Sequence, residues 1–373
     1  MTPKVGFKPS HDEAARQAFV GSFKGYVNFK VETALSNLFD DQLVPAAAQT
    51  TGKTPETRAD AEVLLASHPL YHLWGSLTFH SQNLMWDSVA DTTNRTIDVQ
   101  VEAYRSLSTG KDKLGSVALK KELVVKAPVS TTEIHRQPGG YWREQRPDDL
   151  EAAMNYSGTV DLYRNAKGMG TGGKIGSDTI GQFLADVAQK YAPELNPKAI
   201  LDMGCGTGEQ TLAYKRRFPE AEVTGIDCAR PFVRFAHGIA ESEGLALHFA
   251  EMDAGQTDFE DESFDLIVSI IMFHETTKSQ VRDIMSECWR LVRPGGLVLH
   301  LDVPYQPHRM PLIKQVTNHW QVRHNGEPFW SGFAELNMKE EAVAAGFDEE
   351  HAFATYEAAG PAVYHFFGGR KPA

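Results

Sequence analysis

The sequence has few cysteines and no long hydrophobic run, and both absences exclude classes of protein. Only Cys205, Cys228 and Cys288 stand among 373 residues, too few and too scattered for a disulfide framework or a zinc knuckle. No stretch approaches the roughly 20 apolar residues that a membrane-spanning helix needs. The first residues also lack the apolar core of a secretory signal. These features predict a cytoplasmic protein that does not enter a membrane.

The sequence also lacks an excess of positive charge. It has 37 lysines and arginines against 49 aspartates and glutamates, a formal net charge of -12. An acidic chain of this kind is a poor candidate for binding nucleic acid phosphates. We therefore expect no nucleic acid partner and favour a small molecule, while the oligomeric state stays open, with a homodimer as one alternative.

A glycine-rich segment at residues 165–178, "NAKGMGTGGKIGSD", divides the chain into two regions. After it, short apolar segments alternate with amphipathic patterns of 10 to 15 residues, which predicts an α/β fold with a mostly parallel sheet. Before it, residues 11–39 and 57–90 have helical spacing, whereas residues 116–126 fit a strand or a helix equally. We predict a mainly helical N-terminal domain at 1–164, which caps the site or forms a dimer surface, and an α/β domain at 165–373.

The segment "AILDMGCGTGEQT", residues 199–211, predicts a nucleotide-like ligand, because its three glycines follow an apolar strand and open a helix. The dinucleotide pattern G-x-G-x-x-G is not matched, and Glu209 would repel a pyrophosphate. The segment 168–175 departs from a P-loop at Ile175. A nucleoside ligand without phosphate, such as S-adenosylmethionine, fits better. Asp227 lies 19 residues after Gly208, where a carboxylate can accept both ribose hydroxyls.

Five motifs follow one another in the second region: "LDMGCGTG", "VTGIDCA", "EMDA", "SFDLIVSIIMFHE" and "RLVRPGGLVLHLD". In this order and spacing, residues 180 to about 303 resemble class I S-adenosylmethionine-dependent methyltransferases. The resemblance implies a Rossmann-like, seven-stranded, mostly parallel sheet, S-adenosylmethionine as cofactor and methyl transfer as the activity. It implies little about the first 160 residues.

The resemblance also implies which residues hold the cofactor. The glycine loop would contact the methionine end of the cofactor, and the acidic residue after the second strand would bind the ribose. The acidic residue after the third strand would lie beside the adenine, and the end of the fourth strand would lie at the edge of the cofactor. These residues are Asp202, Gly204, Cys205, Gly206, Gly208, Asp227, Cys228, Asp253, Ala254 and Ile270.

His274 is the candidate catalytic residue, because it follows the fourth strand, where the resembling family faces the methyl group. A histidine with a pKa near 6.5 can take a proton from a hydroxyl or an amine at neutral pH. The alternative is that it only shapes the pocket. Aromatic side chains predicted to contact the substrate are Tyr141, Tyr305, Trp320 and Trp330.

Two groups of polar residues raise the question of a metal. His300 and Asp302 stand close to His308, and His68 and His72 are four residues apart. Strand-end polar pairs and packed histidines account for both groups more simply than ligation, so we expect no metal site. The sequence thus predicts a methyltransferase for a small-molecule acceptor. The alternatives are an S-adenosylmethionine-binding protein of other chemistry, such as cyclisation, a non-catalytic binder and, less favoured, an NAD-dependent oxidoreductase.

Overall fold

The structure is a computed structural model that describes residues 3–165, 179–304, 306–359 and 362–373. Most of the predicted glycine-rich loop, residues 166–178, and the predicted substrate contact Tyr305 lie outside the described residues.

One sheet of eight strands organises the described residues. In chain order, β1 to β8 are Ser116–Ala118, Ala199–Met203, Glu222–Asp227, His248–Glu251, Phe264–Ile270, Val292–Asp302, Ala352–Ala359 and Ala362–Arg370. Their order across the sheet is β1-β4-β3-β2-β5-β6-β8-β7. Strand β8 is antiparallel to both neighbours, and the other pairs are parallel. The predicted Rossmann-like, mostly parallel sheet is confirmed.

Helices cover both faces of this sheet and form most of the N-terminal region. In chain order, α1 to α13 are His11–Tyr26, Glu32–Leu38, Val44–Thr51, Arg58–Leu65, Pro69–Thr109, Glu151–Asn165, Thr179–Tyr191, Glu209–Arg217, Arg230–Ser242, Lys278–Leu291, Leu312–His324, Trp330–Ala334 and Met338–Ala345. Single π-helical segments, Val27–Val31 and Phe39–Leu43, join the first three. Within the described ranges, no helix is both long enough and apolar enough to cross a bilayer.

The strand order reverses direction at β2, and this reversal positions the site. From β2 the chain moves outward to β3 and β4, then returns to the other side of β2 for β5 and β6. Apolar side chains on β2 and β5, such as Leu201, Leu266 and Ile267, are fully buried, which anchors both strands at the centre. Loops that leave the carboxyl ends of β2 and β5 therefore diverge and open a crevice between them.

The N-terminal region packs against the α/β region and adds an edge to its sheet. The 41-residue helix α5 contacts α1, α6 and α9. Strand β1 pairs in parallel with β4, with Ser116 opposite His248. The sequence of residues 116–126 fitted a strand or a helix equally, and in the structure this segment begins as a strand. It is an eighth strand, in addition to the seven that the resemblance implied. The mainly helical character of the N-terminal region is confirmed.

Gly115 fixes β1 to the sheet, and its substitution should detach this strand. Its N–H donates to Oε1 of Glu241 at 2.7 Å, and a Cβ at this position would lie 1.9 Å from the Leu247 carbonyl oxygen. We expect Gly115→Ala to lower the free energy of unfolding by about 1 to 3 kcal/mol, the usual cost of overpacking, measured by urea denaturation. Gly6→Ala is the matched control, because its Cβ would meet only Ile239 Cδ1 at 3.9 Å. Equal stability of both variants would contradict the expectation.

Candidate active site

The loop after β2 presents bare backbone to the crevice. Gly204 and Gly206 have φ angles of 64° and 53°, a left-handed conformation that favours glycine. A Cβ added to Gly206 would meet no atom within 4 Å. The position is therefore open space beside the main chain, as a ligand that approaches the backbone closely requires.

Two buried carboxyl groups flank this loop. Asp227, at the end of β3, accepts hydrogen bonds from the N–H groups of Gly206 at 3.0 Å and Ala229 at 2.8 Å. Asp202, on β2, accepts a hydrogen bond from Oγ1 of Thr211 at 2.6 Å. Burial raises the pKa of Asp227 to about 6 and that of Asp202 to about 7. Among the described residues, neither group has a cationic hydrogen-bond partner, so both are available to a cationic ligand.

A cavity of about 300 Å³ opens at these carboxyl groups. Nine of the ten predicted cofactor residues line it: Asp202, Gly204, Cys205, Gly206, Asp227, Cys228, Asp253, Ala254 and Ile270. The tenth, Gly208, precedes helix α8, and a Cβ there would lie 2.7 Å from Ala236 Cβ. This glycine therefore allows α8 and α9 to pack closely.

The wall of the cavity is acidic. Five carboxylic residues line it, and among the described lining residues there is no lysine, arginine or histidine. The acidic residues are Asp202, Glu209, Asp227, Asp253 and Glu275. A ligand with a positive charge is favoured in such a cavity, and a ligand with a pyrophosphate is disfavoured.

Aromatic rings close the side of the cavity that faces the N-terminal region. The rings of Tyr141, Tyr156 and Phe232 pack edge to face, with centroids 5.2 to 5.7 Å apart. The hydroxyl of Tyr141 donates to Oε1 of Glu275 at 3.2 Å. Tyr141, one of the predicted substrate contacts, thus lies in the cavity and positions a carboxylate beside it.

His274 is held by Asp302 in a buried pair. Its Nδ1 lies 2.6 Å from Oδ1 of Asp302, and the other carboxylate oxygen accepts the N–H of Phe273 at 2.8 Å. Burial alone would lower the pKa of His274, but the Asp302 carboxylate outweighs it and the net shift is upward. Since Asp302 engages Nδ1, Nε2 is the nitrogen left for chemistry. His274 is only 2% exposed and does not itself line the cavity, whereas its neighbour Glu275 does.

A second imidazole reaches the same place from the N-terminal region. Nε2 of His135 lies 2.9 Å from Oε1 of Glu275, and its Nδ1 lies 2.5 Å from Oε1 of Glu327. Burial opposes protonation, but Glu327 and Glu275 together raise the pKa of His135 well above its usual value. Three distant segments of the chain therefore meet beside His274.

The other predicted substrate contacts lie in different places. The Trp330 ring is 5.7 Å from that of His274, so this residue stands next to the site. The Trp320 ring packs against Trp74 at 5.2 Å, in an apolar cluster with the N-terminal helices. Trp320 is thus away from the cavity.

His300 and Asp302 contact different residues in the structure. His300 is fully buried, with Nδ1 2.8 Å from Oγ of Ser269, and burial lowers its pKa to about 3. Asp302 instead orients His274. The two side chains therefore have different hydrogen-bond partners.

Sequence reasoning did not single out His135, Glu275 or Glu327. Glu275 adjoins the predicted His274, and its place after β5 was a usable indication. His135 and Glu327 are 192 residues apart, and no local pattern marks either as a partner of the site.

Part of the chain is similar to known methyltransferases. Residues 200–296 match the family described as Methyltransferase domain. A demethylmenaquinone methyltransferase of Thermus thermophilus is 38% identical over 120 residues, which are 32% of this chain and 54% of that protein. A tRNA N(3)-methylcytidine methyltransferase of Drosophila melanogaster is 26% identical over 165 residues, 42% and 50% of the two chains. The structure of Haemonchus contortus phosphoethanolamine N-methyltransferase 2 with S-adenosyl-L-methionine is 16% identical with a TM-score of 0.40, covering 57% of this chain and 60% of that one.

The domain match, the sequence relatives and the motifs in their order point to one class of protein for this region. Residues 200–296 match a methyltransferase domain, and S-adenosylmethionine is the cofactor of the class I methyltransferases whose motifs and sheet this region has. The chain spans about half the length of the curated relatives that it matches.

Proposed function

We propose that the protein transfers a methyl group from S-adenosylmethionine to a small-molecule acceptor. The observation that carries the proposal is the acidic cavity against the glycine loop. Asp202, Asp227 and Asp253 line it without an ion pair among the described residues, whereas Glu209 is paired with Arg164 and Glu275 with His135. A sulfonium ion is a cation, so this wall favours it.

The residues present fit the cofactor. Asp227 ends the second parallel strand, where its carboxylate would accept the ribose hydroxyls. The open backbone at Gly206 would admit the nucleoside and its methionine end, and Asp253 and Ala254 would flank the adenine. When bound, S-adenosylmethionine supplies a methyl group on a positively charged sulfur; transfer breaks the sulfur–carbon bond, leaves its electron pair on sulfur and releases S-adenosylhomocysteine.

The chain's own contribution is positioning and exclusion of water. Tyr141, Tyr156, Phe232 and Trp142 would enclose the acceptor on its outer side. An apolar enclosure of this kind strengthens electrostatic interactions inside it and aligns the reacting atoms. Loss of positive charge at sulfur is favoured there, because water no longer stabilises the ion.

The acceptor best suited to these walls is an apolar molecule that contains a ring. Flat aromatic side chains bury such a ring well. The name of the Thermus relative indicates a quinone-type acceptor, which agrees with this proposal. The name of the Drosophila relative indicates RNA, which the acidic wall disfavours.

We propose that the N-terminal region, residues 1–164, acts as a cap over the methyltransferase domain at 165–373. The support is that Ile134, Tyr141, Trp142 and Tyr156 line the cavity although they precede the domain. Removal of this region would open one wall of the acceptor space.

His274 is the proposed catalytic residue. Asp302 fixes its Nδ1 and so leaves Nε2 as the nitrogen for chemistry. That nitrogen would accept the proton that a hydroxyl or amine acceptor loses as the new bond to carbon forms. Loss of this residue should act on turnover rather than on cofactor binding.

A screen of ring-containing acceptors tests the proposal. Release of S-adenosylhomocysteine, with an acceptor heavier by one methyl group in the mass spectrum, is the expected result. Cofactor binding with a rearranged but unmethylated product would instead assign the cyclisation chemistry. Binding of NADH with no binding of S-adenosylhomocysteine would contradict the proposal altogether.

Cofactor affinity should fall in acid because Asp227 titrates near neutrality. Its pKa is about 6 in the cofactor-free protein, so below that pH the carboxyl is protonated and accepts hydroxyl protons poorly. We expect Kd for S-adenosylhomocysteine to rise about tenfold for each pH unit below 6, measured by calorimetry from pH 8 to pH 5. In Asp227→Asn this rise should vanish, leaving only a weaker step that belongs to Asp202. That step should lie at a lower pH than in the wild type, because the Asp227 charge no longer raises the pKa of Asp202. A wild-type Kd that stays constant over this range would refute the role of Asp227.

A further inference from the structure

We propose that His135, His274 and Glu275 bind one divalent transition-metal ion at the acceptor end of the cavity. One ligand atom of each residue lies within 4.8 Å of those of the other two. Two imidazoles and one carboxylate form a donor set that suits zinc, iron, cobalt or manganese, and suits calcium or magnesium poorly.

The distance between the first two ligands fits a shared ion. Nε2 of His135 lies 2.9 Å from Oε1 of Glu275. Two ligand atoms that each lie about 2.1 Å from an ion are roughly 3.0 to 3.4 Å apart for angles between 90° and 109°, so this pair would have to separate only slightly. The His274 ligand atom lies within 4.8 Å of both, so it would have to move closer to enter the same coordination sphere.

Both imidazoles already have the support that metal ligands need. Nδ1 of His135 lies 2.5 Å from Glu327, and Nδ1 of His274 lies 2.6 Å from Asp302. A carboxylate on the distal nitrogen fixes the orientation of a ligating histidine and makes its other nitrogen a better donor. Both histidines beside Glu275 thus have a carboxylate on Nδ1. A single residue that transfers a proton would need only one such pair.

His135 is also held in a costly backbone conformation. Its φ angle is 53° and that of Arg136 is 59°. The N–H of His135 donates to the Gly326 carbonyl at 2.8 Å, and its own carbonyl accepts from Gln82 and Trp86, each at 2.9 Å. Left-handed conformations in residues other than glycine are strained and concentrate at functional sites. Three surrounding contacts thus maintain His135 where its imidazole meets Glu275.

The metal accounts for a feature that a base alone leaves unexplained. His274 is 2% exposed and does not line the cavity, so as a general base it could reach the acceptor only through a water. A ligand can be buried behind the ion that it holds, while Glu275 lies at the cavity wall. The inference rests on the proposed methyl transfer for its reaction. With the ion bound, His274 is a ligand, and the ion lowers the pKa of an acceptor hydroxyl or thiol, whose proton leaves to solvent before the new bond to carbon forms.

Cobalt binding to the full chain tests this inference without an activity assay. The purified protein is stripped with EDTA, freed of chelator and titrated with Co²⁺ alone. We expect visible ligand-field absorption that saturates at one equivalent. His135→Asn, which keeps a residue tolerant of the left-handed conformation, and Glu275→Gln should abolish the band. Glu327→Gln removes only the support of His135 and should weaken binding roughly 10- to 100-fold.

His351→Asn is the control, because this half-exposed histidine also lies near carboxylates, Asp348 and Glu350, at the surface. It should leave the band unchanged. The absence of a band in the wild-type protein, or a band that survives His135→Asn, would overturn the inference. Calorimetry with S-adenosylhomocysteine on the stripped protein separates the two proposals: normal binding there leaves the proposed function intact when the metal site fails, and absent binding removes the proposed function itself.

Discussion

Asp227→Asn should weaken S-adenosylhomocysteine binding roughly 30- to 160-fold, a loss of about 2 to 3 kcal/mol. The carboxylate accepts from Gly206 and Ala229 on the protein side, which leaves its remaining lone pairs for the ribose hydroxyls. An amide has one acceptor oxygen and turns an N–H₂ group toward donors, so at least one charged hydrogen bond is lost. Isothermal titration calorimetry measures the change in Kd directly.

Asp265→Asn is the matched control for this variant. Asp265 also accepts two backbone N–H groups, those of Lys198 and Ala199, at 2.7 and 2.9 Å. It lies at the start of β5, the opposite end of the strand from the cavity. We expect its substitution to lower stability and leave the cofactor Kd within about twofold. Equal losses of affinity in both variants would mean that Asp227 acts only through the fold.

His274→Asn should lower turnover by roughly 100- to 10,000-fold, the usual contribution of a residue that activates the acceptor. The cofactor Kd should remain within about twofold, because His274 does not line the cavity. This split between turnover and cofactor affinity holds whether Nε2 accepts a proton or binds the proposed ion. Steady-state kinetics with an identified acceptor, together with calorimetry, measures the two quantities separately.

His237→Asn controls for the cost of replacing a buried histidine. The His237 imidazole is fully buried on α9 and lies 3.5 Å from Glu241, away from the cavity lining. Its substitution should lower thermal stability while the turnover of the folded protein is retained. If turnover falls equally in both variants, His274 has no special part in the reaction.

The cofactor end of the site is predictable from sequence because its determinants are local. Gly204 and Gly206 lie directly after the strand that positions them, and Asp227 directly ends the next one. The alternation of apolar segments and amphipathic helices fixes the sheet, and the carboxyl ends of its central strands must then meet. Nine of the ten residues expected at the cofactor lie in one cavity for this reason.

The acceptor end depends on contacts between distant segments, which periodicity does not encode. Glu275 faces His135, 140 residues earlier in the chain, and His135 takes its place through a left-handed backbone that no sequence pattern indicates. Strand β1 has only three residues and joins the sheet because Glu241 and Leu247 hold its start. Trp320 looked equally suited to a substrate, but its position on α11 turns it toward Trp74.

A crystal structure of the protein with S-adenosylhomocysteine tests the central claim most directly. We expect the ribose hydroxyls within hydrogen-bonding distance of the Asp227 carboxylate, the sulfur inside the acidic cavity, and the space beyond it bounded by Tyr141 and Glu275. A ligand bound at any other place, or a cavity that stays empty at saturating ligand concentration, would contradict it.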